Sequence, residues 1–122
     1  MDLAVCNMKV EDIIEGLNRH IESVRSEREI NTKGHIVLHK ENTPHQVFKV
    51  YKTYIYTLWY INGKKPYRLL TIQQNAKVPE NQEESMLRDM DTLLLTTLFN
   101  WIGSKSYNEV INGEYGREST DI

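Results

Sequence analysis

The side chains with the clearest chemical potential are aromatic and basic, and they lie together in residues 46–74. This stretch holds five of the seven tyrosines, one of the two tryptophans and four lysines. Single-stranded nucleic acids bind by stacking bases on exposed rings while lysines follow the phosphates, and each stack contributes about 1–3 kcal/mol. Aromatic residues also dominate the contacts between proteins. The candidate partner-binding residues are Lys49, Tyr51, Lys52, Tyr54, Tyr56, Trp59, Tyr60, Lys64, Lys65, Tyr67, Arg68 and Trp101.

Residues suited to catalysis or metal binding do not form recognisable motifs. The six glycines never fall in a phosphate-binding loop, and Cys6 is the only cysteine. His35 and His39 lie on a predicted strand, where four residues span about 13 Å, which is too far for one ion. Asp89 and Asp91 point in different directions on a predicted helix. We therefore expect no enzymatic activity, no cofactor and no metal.

Charge is segregated along the chain, although the net charge is only -2. Residues 33–68 carry seven basic residues against one acid, whereas residues 1–32 sum to -3 and residues 69–122 to -5. The sequence therefore places a basic sheet region between acidic helical regions. Two interpretations follow: the unlike segments attract each other within one fold, or the basic region faces an acidic partner.

Periodicity predicts the elements that carry these residues. Apolar positions spaced by threes and fours indicate an amphipathic helix over residues 10–28. A short strand follows over 35–40, with a turn at 41–44. A long strand then covers 46–61, which needs a bulge or bend at that length. Asn62-Gly63 predicts a type I′ hairpin turn into a returning strand that reaches residue 74.

The C-terminal half is predicted to be helical. A second helix covers residues 82–102, and its segment 93–102 is apolar on so many sides that we expect it to be central in the fold. Gly103 ends this helix. Ser106 with Glu109 suggests a capping box for a short helix over 107–111. Residues 114–122 are expected to form a flexible tail.

Both faces of the predicted hairpin carry apolar residues. An even number of connecting residues places Tyr54, Tyr56, Leu58, Tyr60, Tyr67 and Leu69 on one face. The same alternation places Ile55, Thr57, Trp59, Ile61, Arg68, Leu70 and Ile72 on the other. An antiparallel sheet with one free face usually alternates between apolar and polar residues. We therefore expect something to cover the second face.

These elements predict a single α+β domain over residues 1–122, in the order α-β-β-β-α plus a short C-terminal helix. A three-stranded antiparallel meander with a long hairpin packs on two main helices. The order is similar to that of double-stranded RNA-binding domains, but those domains begin their last helix with basic residues, where this chain carries Glu80, Glu83 and Glu84. The chain is therefore not assigned to that family.

The expected function is binding. We expect a small protein-binding module that covers its excess apolar surface by self-association, as a homodimer, or with another protein. Its size would suit an inhibitor or accessory protein of a phage or mobile element. The alternative is a protein that binds single-stranded nucleic acid through the aromatic, basic sheet face. Without a long apolar span or a signal-peptide pattern, a cytoplasmic location away from membranes is expected.

Overall fold

A computed structural model describes residues 9–44, 51–77 and 82–115. Three strands form one antiparallel sheet in the order β1-β2-β3, and three helices accompany it. The elements are α1 (Val10–Glu27), β1 (His35–Pro44), β2 (Tyr51–Asn62), β3 (Lys65–Lys77), α2 (Glu83–Ile102) and α3 (Lys105–Asn112). The predicted α+β fold is confirmed, including the meander and the short last helix.

The helices pack on one side of the sheet. Helix α1 lies against β1 and α3, while α2 lies against β2, β3 and α3. The prediction that α2 is central was wrong: it buries one stripe that includes Leu94 and Leu98, yet Leu93 is 41% and Phe99 65% exposed. Because α1, α2 and the sheet make only two layers, the far side of α2 meets no further element among the described residues.

Strand β1 is longer than its sequence suggested. Residues 41–44, predicted to form a turn, continue the strand, and Pro44 pairs with Lys52. β1 is an edge strand, where a proline is tolerated because its missing N–H faces away from the ladder. The start of the predicted long strand, residues 46–50, lies outside the described residues and includes Lys49.

The hairpin turn differs by one position from the prediction. Asn62 pairs with Lys65, so the two-residue connection is Gly63-Lys64. Gly63 has a φ of 72°, and Lys64 is not among the residues with positive φ. A type I′ turn needs positive φ at both central positions, whereas a type II′ turn needs it only at the first, usually at glycine. The predicted type I′ turn was therefore wrong.

A β-bulge in β3 reverses part of the predicted face assignment. Leu58 faces Leu70 across the ladder, but the next residue, Trp59, faces Arg68, so Leu69 is the extra residue. One inserted residue moves every later side chain to the opposite face. Leu70 and Ile72 therefore share the face of Leu58, and their predicted placement beside Trp59 was wrong.

Helix α3 begins at a different cap from the predicted one. The Ser104 hydroxyl, not that of Ser106, accepts a hydrogen bond from the Tyr107 backbone N–H at 3.2 Å. Ser106 instead accepts from the indole N–H of Trp101 at 3.1 Å. Serine is a preferred N-cap residue at either position, so tertiary contacts decided between them. Beyond the helix, Tyr115 packs against the core, although it falls within the predicted flexible tail.

Arg25 joins α1, the sheet and α3 from a buried position. Its guanidinium donates to the carbonyl oxygens of Val110, Ile111 and Gly34, with the contact to Val110 at 2.6 Å. A further bond at 3.2 Å reaches the hydroxyl of Tyr60. The carbonyls at the C-terminal end of α3 carry the negative end of that helix dipole, which favours a cation there. Arg25 thus fixes both helices to the sheet.

Candidate binding surface

The alternate residues of β2 separate into an inner face and an outer face. The inner face contacts the helices, and its central residues Tyr54, Tyr56, Leu58 and Tyr60 are at most 2% exposed. The outer face points away from the helices, as alternation along the strands requires. Its apolar row, named here the outer row, consists of Val37, Ile55, Trp59 and Ile61.

The outer row joins Val37, Trp59 and Ile61 at one end of the outer face, while Ile55 is separated from Trp59 by Thr57. Val37 lies directly opposite Trp59 and is 37% exposed, while the other members are half-buried. None of the four residues belongs to the hydrophobic core or packs against it. Directly opposed positions place Cβ atoms about 4.5–5.5 Å apart, so Val37 and Trp59 support each other across the two strands. The outer row is a flat apolar surface that the described helices do not cover.

The outer face carries little charge. Along residues 53–61 of β2 and their partners, the outward positions hold threonines, amides and histidines, with Arg68 and Glu41 as the charged residues. Glu41 lies 3.0 Å from the imidazole Nε2 of His39. Arg68 and Glu41 have opposite signs, and Lys77, opposite Tyr51 at the end of this face, adds one positive charge, so the formal charge of the outer face is small.

Several predicted binding residues lie in the core instead of on this surface. Tyr54, Tyr56 and Tyr60 are on the inner face, and their burial leaves no ring face for stacking. Trp101 is also buried, with its ring edge-on to Tyr107 at a centroid distance of 5.2 Å. These four residues support the fold rather than the outer surface.

Tyr67 and Tyr51 have intermediate positions. Tyr67 is half-buried on the inner face, where the ring of Tyr115 meets it edge-on at 6.2 Å. The Tyr115 hydroxyl donates to the Arg68 carbonyl at 3.2 Å, which holds the C-terminal end of the described chain against β3. Tyr51 is 40% exposed at the start of β2, opposite Lys77. Tyr51 and Trp59 are thus the predicted aromatic residues that the outer face presents.

Two lysines of the basic region, the predicted binding residue Lys52 and also Lys40, contact acidic residues of the helices. Lys52 donates to Glu83 at 2.9 Å, which raises the pKa of the lysine. Lys40 lies 2.6 Å from Glu11, and this hydrogen bond lowers the pKa of the Glu11 carboxyl. The charge segregation is therefore partly explained by attraction within the fold. Lys64, Lys65 and Arg68 are exposed at the hairpin end of the sheet.

The alternation along β1 and β2 already indicates that the four residues of the outer row share one face, but only Trp59 is among the predicted binding residues. The prediction was based on aromatic rings and positive charge, and it therefore did not include the aliphatic residues Val37, Ile55 and Ile61. Their alternation with buried inner residues was already visible. Within residues 9–44, 51–77 and 82–115, no group of three or more histidine, cysteine or acidic residues is placed to hold a metal.

Comparisons with protein-family models, curated proteins and solved structures find no match for this chain. Among the described helices, none has the length and apolar character needed to cross a membrane. The outer row and its near-neutral surroundings are therefore the observations from which a function can be inferred.

Proposed function

We propose that this chain is a small protein-binding module that self-associates through its outer face, with the sheets of two copies packed face to face. The observation that carries the proposal is the outer row, an apolar strip of Val37, Ile55, Trp59 and Ile61 outside the core. Two sheets that pack in this way lie about 10 Å apart and interdigitate such side chains. Self-association covers the strip in both copies at once.

The charge of the outer face supports a second copy as the occupant. Two identical surfaces repel each other when they carry a strong charge of one sign, but here Arg68 and Glu41 offset each other. A nucleic acid instead needs a concentration of positive charge to release its counterions. Lys40 and Lys52 lie on the inner side of the sheet, where they contact Glu11 and Glu83, and add no positive charge to the outer face.

The size of the sheet predicts a weak, reversible dimer. Three strands about 4.8 Å apart and about ten residues long, at 3.3 Å per residue, cover about 450 Å² in projection. A pair therefore buries roughly 1,000 Å² once side-chain relief is included, against about 1,600 Å² for a standard interface. We expect dissociation in the micromolar range, with Trp59 as the residue that contributes most.

Sedimentation velocity over a concentration series tests the proposal. The wild-type chain, 14.4 kDa as a monomer, should approach twice that mass at high concentration. Trp59→Glu should remain monomeric, because a dimer would bury two unpaired carboxylates. Phe99→Glu is the matched control, since Phe99 is the most exposed large apolar residue described and lies on α2, away from the sheet face.

Two outcomes would overturn self-association through the outer face. One is a wild-type chain that stays monomeric up to about 0.5 mM, well above the expected dissociation constant. The other is a dimer that Phe99→Glu disrupts and Trp59→Glu leaves intact, which would move the interface to α2.

The nucleic-acid alternative has its own assay. If the chain binds a labelled single-stranded oligonucleotide, affinity should fall steeply with salt and be lost in the Lys64→Glu, Lys65→Glu double variant. We expect no such binding. The inhibitor or accessory role in a phage or mobile element was expected from chain size alone. No contact among the described residues bears on it, so the proposal is limited to binding.

A further inference from the structure

Two asparagines of this chain are followed by glycine, in Asn62-Gly63 and in Asn112-Gly113, and every other asparagine is followed by a larger residue. Glycine has no side chain to keep its backbone nitrogen away from the preceding asparagine side chain, and its backbone adopts many conformations. The Asn-Gly dipeptide is for these reasons the one most prone to deamidation. In a folded protein, the backbone around each glycine decides whether the reaction takes place.

The reaction consumes only water. The backbone nitrogen of the glycine loses its proton and forms a bond to the side-chain amide carbon of the asparagine. The bond from that carbon to the side-chain nitrogen breaks, ammonia leaves, and a five-membered succinimide ring remains. Water then opens the ring at either carbonyl carbon, which gives aspartate or isoaspartate. No atom is oxidised or reduced, so the accessibility of the glycine nitrogen controls the rate.

The two dipeptides lie at the same end of the molecule. Asn62 and Asn112 both line a polar cavity of about 360 Å³, and both residues are exposed. Water and hydroxide therefore reach both asparagines. A difference in their reactivity has to come from the backbone of the glycine that follows each one.

Gly113 is held in the C-terminal cap of α3. Its N–H donates to the Val110 carbonyl at 3.2 Å, and the N–H of Glu114 donates to the Glu109 carbonyl at 2.8 Å. A Cβ at Gly113 would lie 3.1 Å from the Thr32 side chain, so the connection between α1 and β1 packs closely on this backbone. The Gly113 nitrogen can attack only after the cap opens locally.

Gly63 is open by comparison. It is the first residue of the two-residue turn, with a φ of 72°, and a Cβ added there would meet nothing within 4 Å. Among the described residues its N–H has no hydrogen-bond partner, because the ladder bonds next to such a turn belong to the flanking pair, Asn62 and Lys65. Only this last pair of the hairpin has to open for the Gly63 nitrogen to reach the Asn62 side chain.

We propose that Asn62 is a site of spontaneous deamidation and that the cap of α3 protects Asn112 from the same reaction. Conversion at Asn62 adds one negative charge to a chain whose net charge is -2. Isoaspartate also adds one carbon to the main chain before Gly63, so the turn no longer fits the pairing of Asn62 with Lys65. The site is independent of the proposed self-association, because neither dipeptide belongs to the outer row.

Peptide mapping by mass spectrometry compares the two asparagines in one sample. The folded chain is incubated at pH 8 and 37 °C, and the fraction of each asparagine converted to the acid is followed over time. We expect Asn62 to react about tenfold or more faster than Asn112, since local opening of a hydrogen-bonded cap is a rare event. In concentrated urea no cap remains, and the two rates should come within a few-fold of each other.

A matched pair of variants checks the assignment by ion-exchange chromatography. Asn62→Gln should abolish the more acidic species that forms during incubation, because glutamine would have to close a six-membered ring, which is slower. Asn112→Gln, on the same cavity, should leave the rate at which that species forms unchanged.

Hydrogen exchange separates the added charge from the added carbon. In the isoaspartate form, the backbone amides of the Asn62–Lys65 pair should exchange faster than in the fresh chain, whereas those of the Tyr60–Tyr67 pair should not change. Asn62→Asp carries the charge without the extra carbon and should exchange like the fresh chain. Equal exchange in the isoaspartate form and in Asn62→Asp would show that the turn tolerates the longer main chain.

Three results would overturn the proposal. One is that the folded chain deamidates at Asn112 as fast as at Asn62, or faster. Another is that Asn62→Gln still produces the acidic species at the wild-type rate. The third is that the preference for Asn62 is as large in urea as in the folded chain, because it would then come from neighbouring residues in the sequence and not from the cap.

Discussion

The inner and outer faces of β2 use similar residues for different purposes. Tyr54, Leu58 and Tyr60 alternate with Ile55 and Trp59 along one strand, yet the first group is buried by helices and the second is not. Apolar character therefore does not separate the core from the surface in this sheet. The number of elements available to cover each face does, because three helices reach only one side.

The two faces also differ in how their polar groups are paired. On the inner face Arg25, Lys40 and Lys52 contact carbonyl or carboxylate groups of other elements. On the outer face the described polar contacts are local and exposed, such as His39 with Glu41 and Thr53 with Asn75 at 2.7 Å. Substitutions should therefore affect stability through the inner face and association through the outer face.

The largest loss of stability should follow Arg25→Ala. The substitution removes the Arg25 donors to the carbonyls of Gly34, Val110 and Ile111, and we expect the free energy of unfolding to fall by about 3–5 kcal/mol. Of the three, the Val110 carbonyl keeps a hydrogen bond from the Gly113 backbone N–H. Urea denaturation measures the change. Arg28→Ala, an exposed position on the same segment, should stay within about 0.5 kcal/mol. Equal losses of stability in Arg25→Ala and Arg28→Ala would show that Arg25 does not hold the helices to the sheet.

A matched pair on one strand compares the faces directly. Leu58→Ala on the inner face should cost about 2–5 kcal/mol, because it leaves a cavity in the core. Ile55→Ala, three residues earlier and half-buried on the outer face, should cost about 1 kcal/mol or less in the monomer. Urea denaturation at low protein concentration measures both changes. Similar losses would show that the outer face is as tightly packed as the inner one.

A pair of glycines tests the packing beneath the inner face. A Cβ on Gly34 would lie 2.0 Å from the Tyr60 hydroxyl, so Gly34→Ala must displace that ring and should cost about 1–3 kcal/mol. Gly16→Ala in α1 meets only the flexible end of Arg19 at 3.7 Å and should stabilise the chain by about 1 kcal/mol. Thermal unfolding of both variants measures the contrast, and a neutral Gly34→Ala would contradict the close contact.

The smallest effect concerns high pH. The pKa of Tyr56 is raised from 10.0 to about 12 by burial and by Asp91, so the folded state favours the neutral phenol. Its contribution to stability is complete below pH 10 and is lost as pH rises from 10 to 12. Unfolding midpoints in urea should therefore fall over this range less steeply in Tyr56→Phe than in wild type. Parallel slopes would contradict the shift.

The overall fold could be predicted because its signals are local. The threefold and fourfold spacing over residues 10–28 and the glycine at the hairpin were sufficient for α1 and the β2–β3 pair. The bulge at Leu69 could not be predicted, since it follows from packing between strands, and it changed the faces of Leu70 and Ile72. By sequence alone, either Ser104 or Ser106 could cap α3. In the fold, Ser106 accepts a hydrogen bond from the indole of Trp101, and Ser104 caps the helix.

The candidate surface could be predicted only in part. Alternation separated Trp59 from Tyr54 and Tyr60, but the sequence did not indicate which side the helices would cover. No local pattern connects Arg25 in α1 to its acceptors Val110 and Ile111 in α3, which lie 85 and 86 positions further along the chain.

The bonds from Arg25 also have a consequence for the order of folding. They span 85 and 86 positions along the chain to Val110 and Ile111. Contacts of such long sequence separation form late and slow the folding reaction. During synthesis, α1 leaves the ribosome with its guanidinium still hydrated, and its docking is completed only after α3 has been translated. The dehydration of Arg25 by the Val110 and Ile111 carbonyls therefore requires the last helix of the described chain.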